Sequence, residues 1–151
     1  MKKIIFLLII LSPLSICYAY EDSISIEEKN IAIVKEMFSE FAEKLDMKKL
    51  DIYYSKNFIL ESNGKRYTYD EYKNLEEKIY RTLKSLKVTK YYDIFSTSNK
   101  VVSRMSIKLT HVNGKTNEFQ VILIALIKDN KIDRIWELTY PSWSDKLSKK
   151  M

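Results

Sequence analysis

Apolar residues near the start of the chain form a helical stripe. Ile31, Val34, Phe38, Phe41 and Leu45 recur at spacings of three, four, three and four, the repeat that lines one face of an α-helix. Ile33 and Met37 widen the stripe, so this helix is expected to pack on something broad, such as a sheet. Ser25-Ile26-Glu27-Glu28 precedes it, a hydroxyl followed three residues later by a carboxylate, which is a capping-box start. Asp46 predicts the cap of a short second helix, Met47 to Tyr54, with Leu50 and Tyr53 or Tyr54 turned inward. A short apolar strand, Asn57 to Glu61, then meets the hairpin signal Asn63-Gly64 and returns through Lys65 to Tyr67. Thr68-Tyr69-Asp70-Glu71 repeats the capping box and opens a third helix, striped by Tyr72, Leu75, Ile79, Leu83 and Leu86.

From Val88 onward the period becomes two. Val101, Ser103, Met105, Ile107, Leu109 and His111 share one strand face, and Val102, Arg104, Ser106, Lys108 and Thr110 the other. Asn113-Gly114 is a second type I′ turn signal. The next strand, about Thr116 to Lys128, is apolar on both faces, with Val121, Leu123 and Ala125 against Ile122, Ile124 and Leu126. It is expected to lie centrally, with a helix layer or a partner behind it. Asp129-Asn130 makes the following turn, and Ile132 to Tyr140 is the last strand, stopped by Pro141. The order α-α-β-β-α-β-β-β-β predicts an α+β fold in which helices cover one side of an antiparallel meander.

Residues 1–19 read as an address. Lys2-Lys3, the apolar run Ile4 to Leu11, Pro13 and the small-residue site around Cys17-Tyr18-Ala19 form the three parts of a secretory signal peptide. The apolar core is shorter than the roughly 20 residues of a membrane crossing. Leu14-Ser15-Ile16-Cys17 also resembles a lipoprotein signal, with Ile16 where a small residue is wanted. Cleavage after Ala19 leaves residues 20–151 as one domain of 132 residues (151 − 19) without cysteine, suited to an oxidising compartment. The expected location is periplasmic or secreted, in a bacterium, with no membrane attachment after cleavage.

The 46% hydrophobic and 30% charged content excludes a disordered chain. One Cys and one His leave no disulfide framework and no metal site of adequate spacing. No Gly-rich phosphate loop or nucleophile elbow is present, so neither metal nor cofactor is expected. Loss of Lys2 and Lys3 takes the net charge from +6 to +4. The excess is diffuse outside Lys146, Lys149 and Lys150, and Glu43-Lys44 and Glu76-Glu77-Lys78 read as solvated helix surface. A nucleic-acid partner is not expected.

The stretch Phe38-Ser39-Glu40-Phe41, then Asp46-Met47-Lys48-Lys49-Leu50, then Tyr53-Tyr54-Ser55-Lys56-Asn57-Phe58 resembles the opening of the nuclear transport factor 2-like (NTF2-like) superfamily, in particular its SnoaL-like branch. Asn63-Gly64 with Thr68-Tyr69-Asp70-Glu71-Tyr72 fits that family's turn and third helix. Lys128 to Leu138 is similar to its closing hairpin and last strand. The resemblance covers about Glu27 to Tyr140 and rests on element order and hydrophobic pattern. It implies a cone, a curved antiparallel sheet covered by three helices of the N-terminal half around an apolar cavity. Members include ketosteroid isomerases, polyketide cyclases, dehydratases, transport factors and secretion-system scaffolds, one fold with many tasks.

Chemistry in such a cone needs a carboxylate base in an apolar pocket and a donor aimed at a developing oxyanion. Glu61, at the end of the strand after the Tyr53-Tyr54 element, is one candidate base. Ser62 occupies the position where the steroid isomerases carry their acid. Glu137 is the second candidate. Strict alternation puts Ile132, Arg134, Trp136, Leu138 and Tyr140 on one face and Asp133, Ile135, Glu137 and Thr139 on the other, so only one of Trp136 and Glu137 enters the cavity unless a bulge intervenes. An inward Glu137 would act as a base or pair with an arginine such as Arg104. His111 is the only imidazole, near the Asn113-Gly114 turn. Tyr54, Phe58, Met105 and Trp136 are the expected ligand-contacting residues, and a buried tyrosine could supply the donor.

The expected function is binding of a small apolar or amphipathic molecule in the cone. The alternatives are a lyase or isomerase of the ketosteroid isomerase or polyketide cyclase type, and an interaction module. In the last, the face of Ile122, Ile124 and Leu126 would form a homodimer or dock onto an envelope assembly.

Overall fold

The structure, a computed structural model, describes residues 26–141. The expected leader at 1–19 with Cys17, the expected Ser25 cap and the lysines Lys146, Lys149 and Lys150 lie outside the described residues. No helix among the described residues is long and apolar enough to cross a membrane.

Helix α1 runs over 26–36 and continues as a π-helical turn, Met37–Ala42. There the amides of Glu43 and Asp46 reach back five residues, to the carbonyls of Phe38 at 2.8 Å and Phe41 at 3.1 Å. The wider turn lets Met37, Phe38, Phe41 and Ala42 all enter the core, more than a regular helix would present on one face. Buried Asn30 donates its side-chain N–H to the Ser98 carbonyl at 2.9 Å, fastening α1 to the distant β-hairpin. Helix α2 is a 3₁₀ turn, Met47–Lys49, passing into Leu50–Tyr53, and Asp46 caps it by accepting from the Lys48 amide at 3.1 Å.

Strands β1 (Tyr54–Ser62) and β2 (Lys65–Thr68) form the first hairpin, and α3 (Tyr69–Tyr80) follows. Asn63 and Gly64 both have positive φ, 48° and 79°, the backbone a two-residue primed turn needs. The Thr68 capping box forms as expected: the Glu71 carboxylate accepts from the Thr68 amide at 2.8 Å and from its hydroxyl at 2.9 Å. Helix α3 ends earlier than its stripe suggested. Leu83 and Leu86 belong to β3 (Leu83–Thr97), because β4 (Lys100–His111) offers it partners along its whole length, from Leu83 opposite His111 to Thr97 opposite Lys100. Both periods point these leucines at the core, so apolar spacing alone did not separate helix from strand.

Strands β5 (Thr116–Lys128) and β6 (Lys131–Tyr140) complete a six-stranded sheet in the order β2-β1-β6-β5-β4-β3. Every neighbouring pair is antiparallel except β1 and β6, which run parallel. The β5–β6 turn has the positive φ at Asp129 and Asn130 (51° and 58°) of a primed turn. The β4–β5 turn does not follow its type I′ signal. Gly114 alone takes positive φ, the loop runs longer, and the Asn113 side chain is used to accept from the Lys115 amide at 3.0 Å.

The core lies between the helices and the inner sheet face. Phe58, Val101, Met105, Leu123, Ala125 and Ile132 are all essentially inaccessible. The outer face of β5 was expected to meet a helix layer or a partner. Among the described residues no helix covers β5 there, and Ile122 is 48% exposed, Leu138 64% and Tyr140 76%.

Candidate functional site

One residue in β6 decides what faces inward. Leu126 pairs with Arg134 but Ile127 pairs with Ile132, so Asp133 is an extra, bulged residue. Ser55 donates to its carboxylate at 2.6 Å. The bulge breaks strict alternation, so Ile132 is buried together with Ile135 and Thr139 rather than with Trp136. Beyond it, Glu137 stands opposite the inward Leu123 and Trp136 opposite the outward Ile124.

A cavity of about 320 Å³ opens between the helices and the inner face. Its wall is largely apolar, from Met37, Phe38 and Ala42 on α1 to Leu86, Leu109 and Val121 on the sheet. An aromatic cluster forms one side: Tyr54 packs on Phe58 at 4.6 Å and on Tyr72 at 5.2 Å between ring centres, and Phe41 on Tyr80 at 5.6 Å. The Tyr54 and Tyr72 hydroxyls hydrogen-bond each other at 3.1 Å. Burial holds both phenols protonated well above the ordinary tyrosine range.

Two carboxylates interrupt this wall. Glu137 Oε1 accepts from the Ser62 hydroxyl at 2.9 Å and the Thr139 hydroxyl at 2.8 Å. Glu76 projects from α3 on the same side as Tyr72 and Tyr80, four residues either way, and lines the same space. Glu76 is half-buried where it borders the cavity. Burial pushes its carboxyl up to about 8, the charge of Glu137 adds to the rise, and a hydrogen bond from Tyr80 opposes it. Lys65, exposed on β2, stands at the rim.

Among the residues expected to form the site, Tyr54 and Glu137 line the cavity. Phe58 and Met105 are fully buried behind its wall and do not line it. Trp136 lies on the outer side, in a groove with Ile122, Ile124 and Leu138, flanked by the cations of Lys100 and Arg134 at 6.0 and 5.4 Å from its ring. Glu61 borders that groove and pairs with Arg134 at 3.4 Å. Arg104 serves Asp93 at 2.8 Å and not Glu137. His111 sits at the end of β4, its Nε2 3.0 Å from the side-chain nitrogen of Asn117, and does not line the cavity. Glu76 was missed because Glu76-Glu77-Lys78 reads as solvated helix surface. The available signal was its i, i+4 spacing from Tyr72, which is on the apolar stripe, and to Tyr80. Among the described residues no group of three or more His, Cys, Asp or Glu could hold a metal ion.

No family model matches the chain, and no curated protein matches it. Solved structures do. IdmH of Streptomyces antibioticus, described as a candidate polyketide cyclase, is 13% identical with a TM-score of 0.66, covering 79% of this chain and 98% of its own. An LEH-like epoxide hydrolase of M. tuberculosis is 15% identical with a TM-score of 0.65, covering 75% and 84%. An NTF2-like protein of unknown function from Burkholderia pseudomallei is 11% identical with a TM-score of 0.60, covering 72% and 88%. At such identities the likeness is one of fold: the chain has the NTF2-like α+β cone.

Proposed function

We propose that this chain binds a small apolar or amphipathic molecule in the cone, and that Glu137 and Glu76 act on it as an acid–base pair. The observation that carries this reading is two carboxylates of unlike environment facing one apolar space. Glu137 has one oxygen committed to Ser62 and Thr139, which fixes its orientation as an acceptor. Glu76, raised to about 8, keeps a proton to donate at neutral pH. Environments that push paired carboxyls apart are how one site supplies both a base and an acid. Proton relocation within a bound molecule, as an isomerase or lyase of the ketosteroid isomerase or polyketide cyclase type performs it, suits this equipment. The descriptions of IdmH and the epoxide hydrolase support a small-molecule reading. The test incubates apolar ketones in D₂O and follows exchange beside the carbonyl. Exchange above the buffer rate is expected, with Glu137→Gln lowering it by roughly 10²–10⁴-fold. A Glu137→Gln protein as active as the wild type, or no exchange across the panel, overturns the acid–base assignment.

A second reading concerns assembly and location. The exposed Ile122, Leu138 and Tyr140, on an outer face that no helix among the described residues covers, favour a homodimer through that face. The leader pattern at 1–19 supports export to the periplasm or medium. Native mass spectrometry of the exported protein should give a dimer of chains beginning at Tyr20. Ile122→Lys should give the monomer mass. A wild-type monomer, or an intact residue 1–19 segment, removes the corresponding half.

A further inference from the structure

The two cavity carboxylates, Glu76 and Glu137, have no ion-pair partner among the described residues. Among the described residues the ion pairs are those of Lys44 and Lys49 with Glu40, Lys56 with Asp51, Arg104 with Asp93, and Arg134 with Glu61. Neither Glu76 nor Glu137 is among them. Lys65 at the rim is solvent-exposed. The groups bonded to the pair are hydroxyls, Ser62 and Thr139 on Glu137 and Tyr80 on Glu76, and Tyr54, Tyr67, Tyr72, Asn63 and Lys65 also line the cavity.

A protein ordinarily compensates a half-buried carboxylate with a lysine or arginine, because charge in a low-dielectric space is costly without a counter-charge. Here two carboxylates share one space with no ion-pair partner among the described residues, so the ligand's own charge becomes the deciding quantity. A carboxylate ligand would bring a third acid into the space. A neutral ligand would leave the charge where it is. An ammonium supplies charge-assisted N–H···O bonds to Glu137, and tyrosine rings also attract cations. We infer that the ligand is an apolar molecule bearing a single ammonium group, held by Glu76 and Glu137 with its apolar part against the Phe38–Leu109 side of the cavity. This rests on the reading of the cavity as the ligand site. The volume of about 320 Å³ is at the small end of ligand pockets, roughly 300–1,000 Å³, and suits a short alkyl or single-ring amine. Binding is coupled to a proton. The ammonium stabilises the ionised form of Glu76, whose proton leaves to solvent while the amine keeps all of its own, so the amine is held as a ligand and not as a substrate that takes the Glu76 proton. The groups that set this coupling are Glu137 on β6, Tyr72 and Tyr80 on α3, Tyr54 on β1, and Lys65 and Tyr67 on β2.

The experiment titrates the full chain with n-octylamine, n-octanol and n-octanoate by calorimetry at pH 7, in two buffers of different ionisation enthalpy. The expected order is amine over alcohol by roughly tenfold or more, the weight of one hydrogen bond to a charged group, with octanoate weakest. Protons should be released with the amine alone. Glu137→Gln and Glu76→Gln should each reduce amine affinity and leave that of octanol, and Glu76→Gln should abolish proton release. Their thermal unfolding curves identify any variant that fails to fold, in which case Glu137→Asp and Glu76→Asp are read in place of the glutamines. Equal or better binding of octanol overturns the amine assignment and keeps the apolar-ligand reading. Amine preference that persists in both variants overturns the role of the two carboxylates. Failure of all three probes overturns the ligand-site reading and the amine with it.

Discussion

Phe58→Ala is expected to lower the free energy of unfolding by about 3–5 kcal/mol. Phe58 is fully buried, and its ring lies 4.6 Å from that of Tyr54 and 5.0 Å from that of Tyr72. Truncation removes the transfer free energy of the ring and also leaves a hole. Tyr54 and Tyr72 cannot easily collapse into that hole, because their hydroxyls are tied to each other at 3.1 Å. Phe95→Ala is the matched control. That ring is 52% exposed, and its loss should change stability by no more than about 0.5 kcal/mol. Urea unfolding of both variants makes the measurement, with midpoints compared at unchanged slope. A cost below about 1 kcal/mol for Phe58→Ala would mean the aromatic cluster is loosely packed, and the wall it gives the cavity would not be a fixed one. Phe58 does not touch the cavity, so reduced ligand binding in this variant would report on the placement of Tyr54 and Tyr72, which stand between it and the cavity.

Much of the fold is visible in apolar spacing. The α1 stripe, the Thr68 capping box, the Asn63-Gly64 turn and the strand order after Val88 each rest on local chemistry that the neighbours in space do not override. What was not visible depended on pairing between distant segments. The parallel contact of β1 with β6 has no local signal, since either orientation buries Phe58 and Leu60. The change from α3 to β3 was hidden because Leu83 and Leu86 satisfy both periods. The candidate site shows the same division. Tyr54 and Glu137 could be named from sequence, but whether Glu137 or Trp136 enters the cone turned on the single extra residue at Asp133. A register shift of one residue exchanges the two faces of a strand. The predictable part of β6 was therefore that one of the two enters, and the bulge selected Glu137. Glu76 was obscured for a different reason. A carboxylate next to a Glu-Lys pair looks solvated until the sheet closes over its helix face.

Glu76 also makes the stability of the protein depend on pH in a window where few groups act. Its carboxyl is raised from 4.5 in the unfolded chain to about 8 in the folded one. Below 4.5 both states hold the proton and the group is neutral to stability. Between 4.5 and 8 the unfolded chain releases a proton that the folded chain keeps, so the folded state binds more protons and its stability falls as pH rises. The limiting slope is about 1.4 kcal/mol per pH unit, and above 8 the loss is complete. Other shifted carboxyls act elsewhere. Glu40, held down to about 2 by hydrogen bonds from Lys44 and Lys49, and Glu71, lowered by the Thr68 amide and hydroxyl, contribute stability present above 4.5 that is lost as pH falls below it. The raised tyrosines matter only above their ordinary value of 10. Denaturant unfolding from pH 5 to 8 should therefore show wild-type stability declining while Glu76→Gln stays level. The variant should become the more stable protein at the alkaline end, because an amide has no charge to lose to the cavity. A flat wild-type profile, or a decline that survives in Glu76→Gln, would remove Glu76 from the low-dielectric space that gives the cone its acid. A decline that also flattens in Glu137→Gln would show that the neighbouring charge, and not burial alone, sets the proton affinity of the pair.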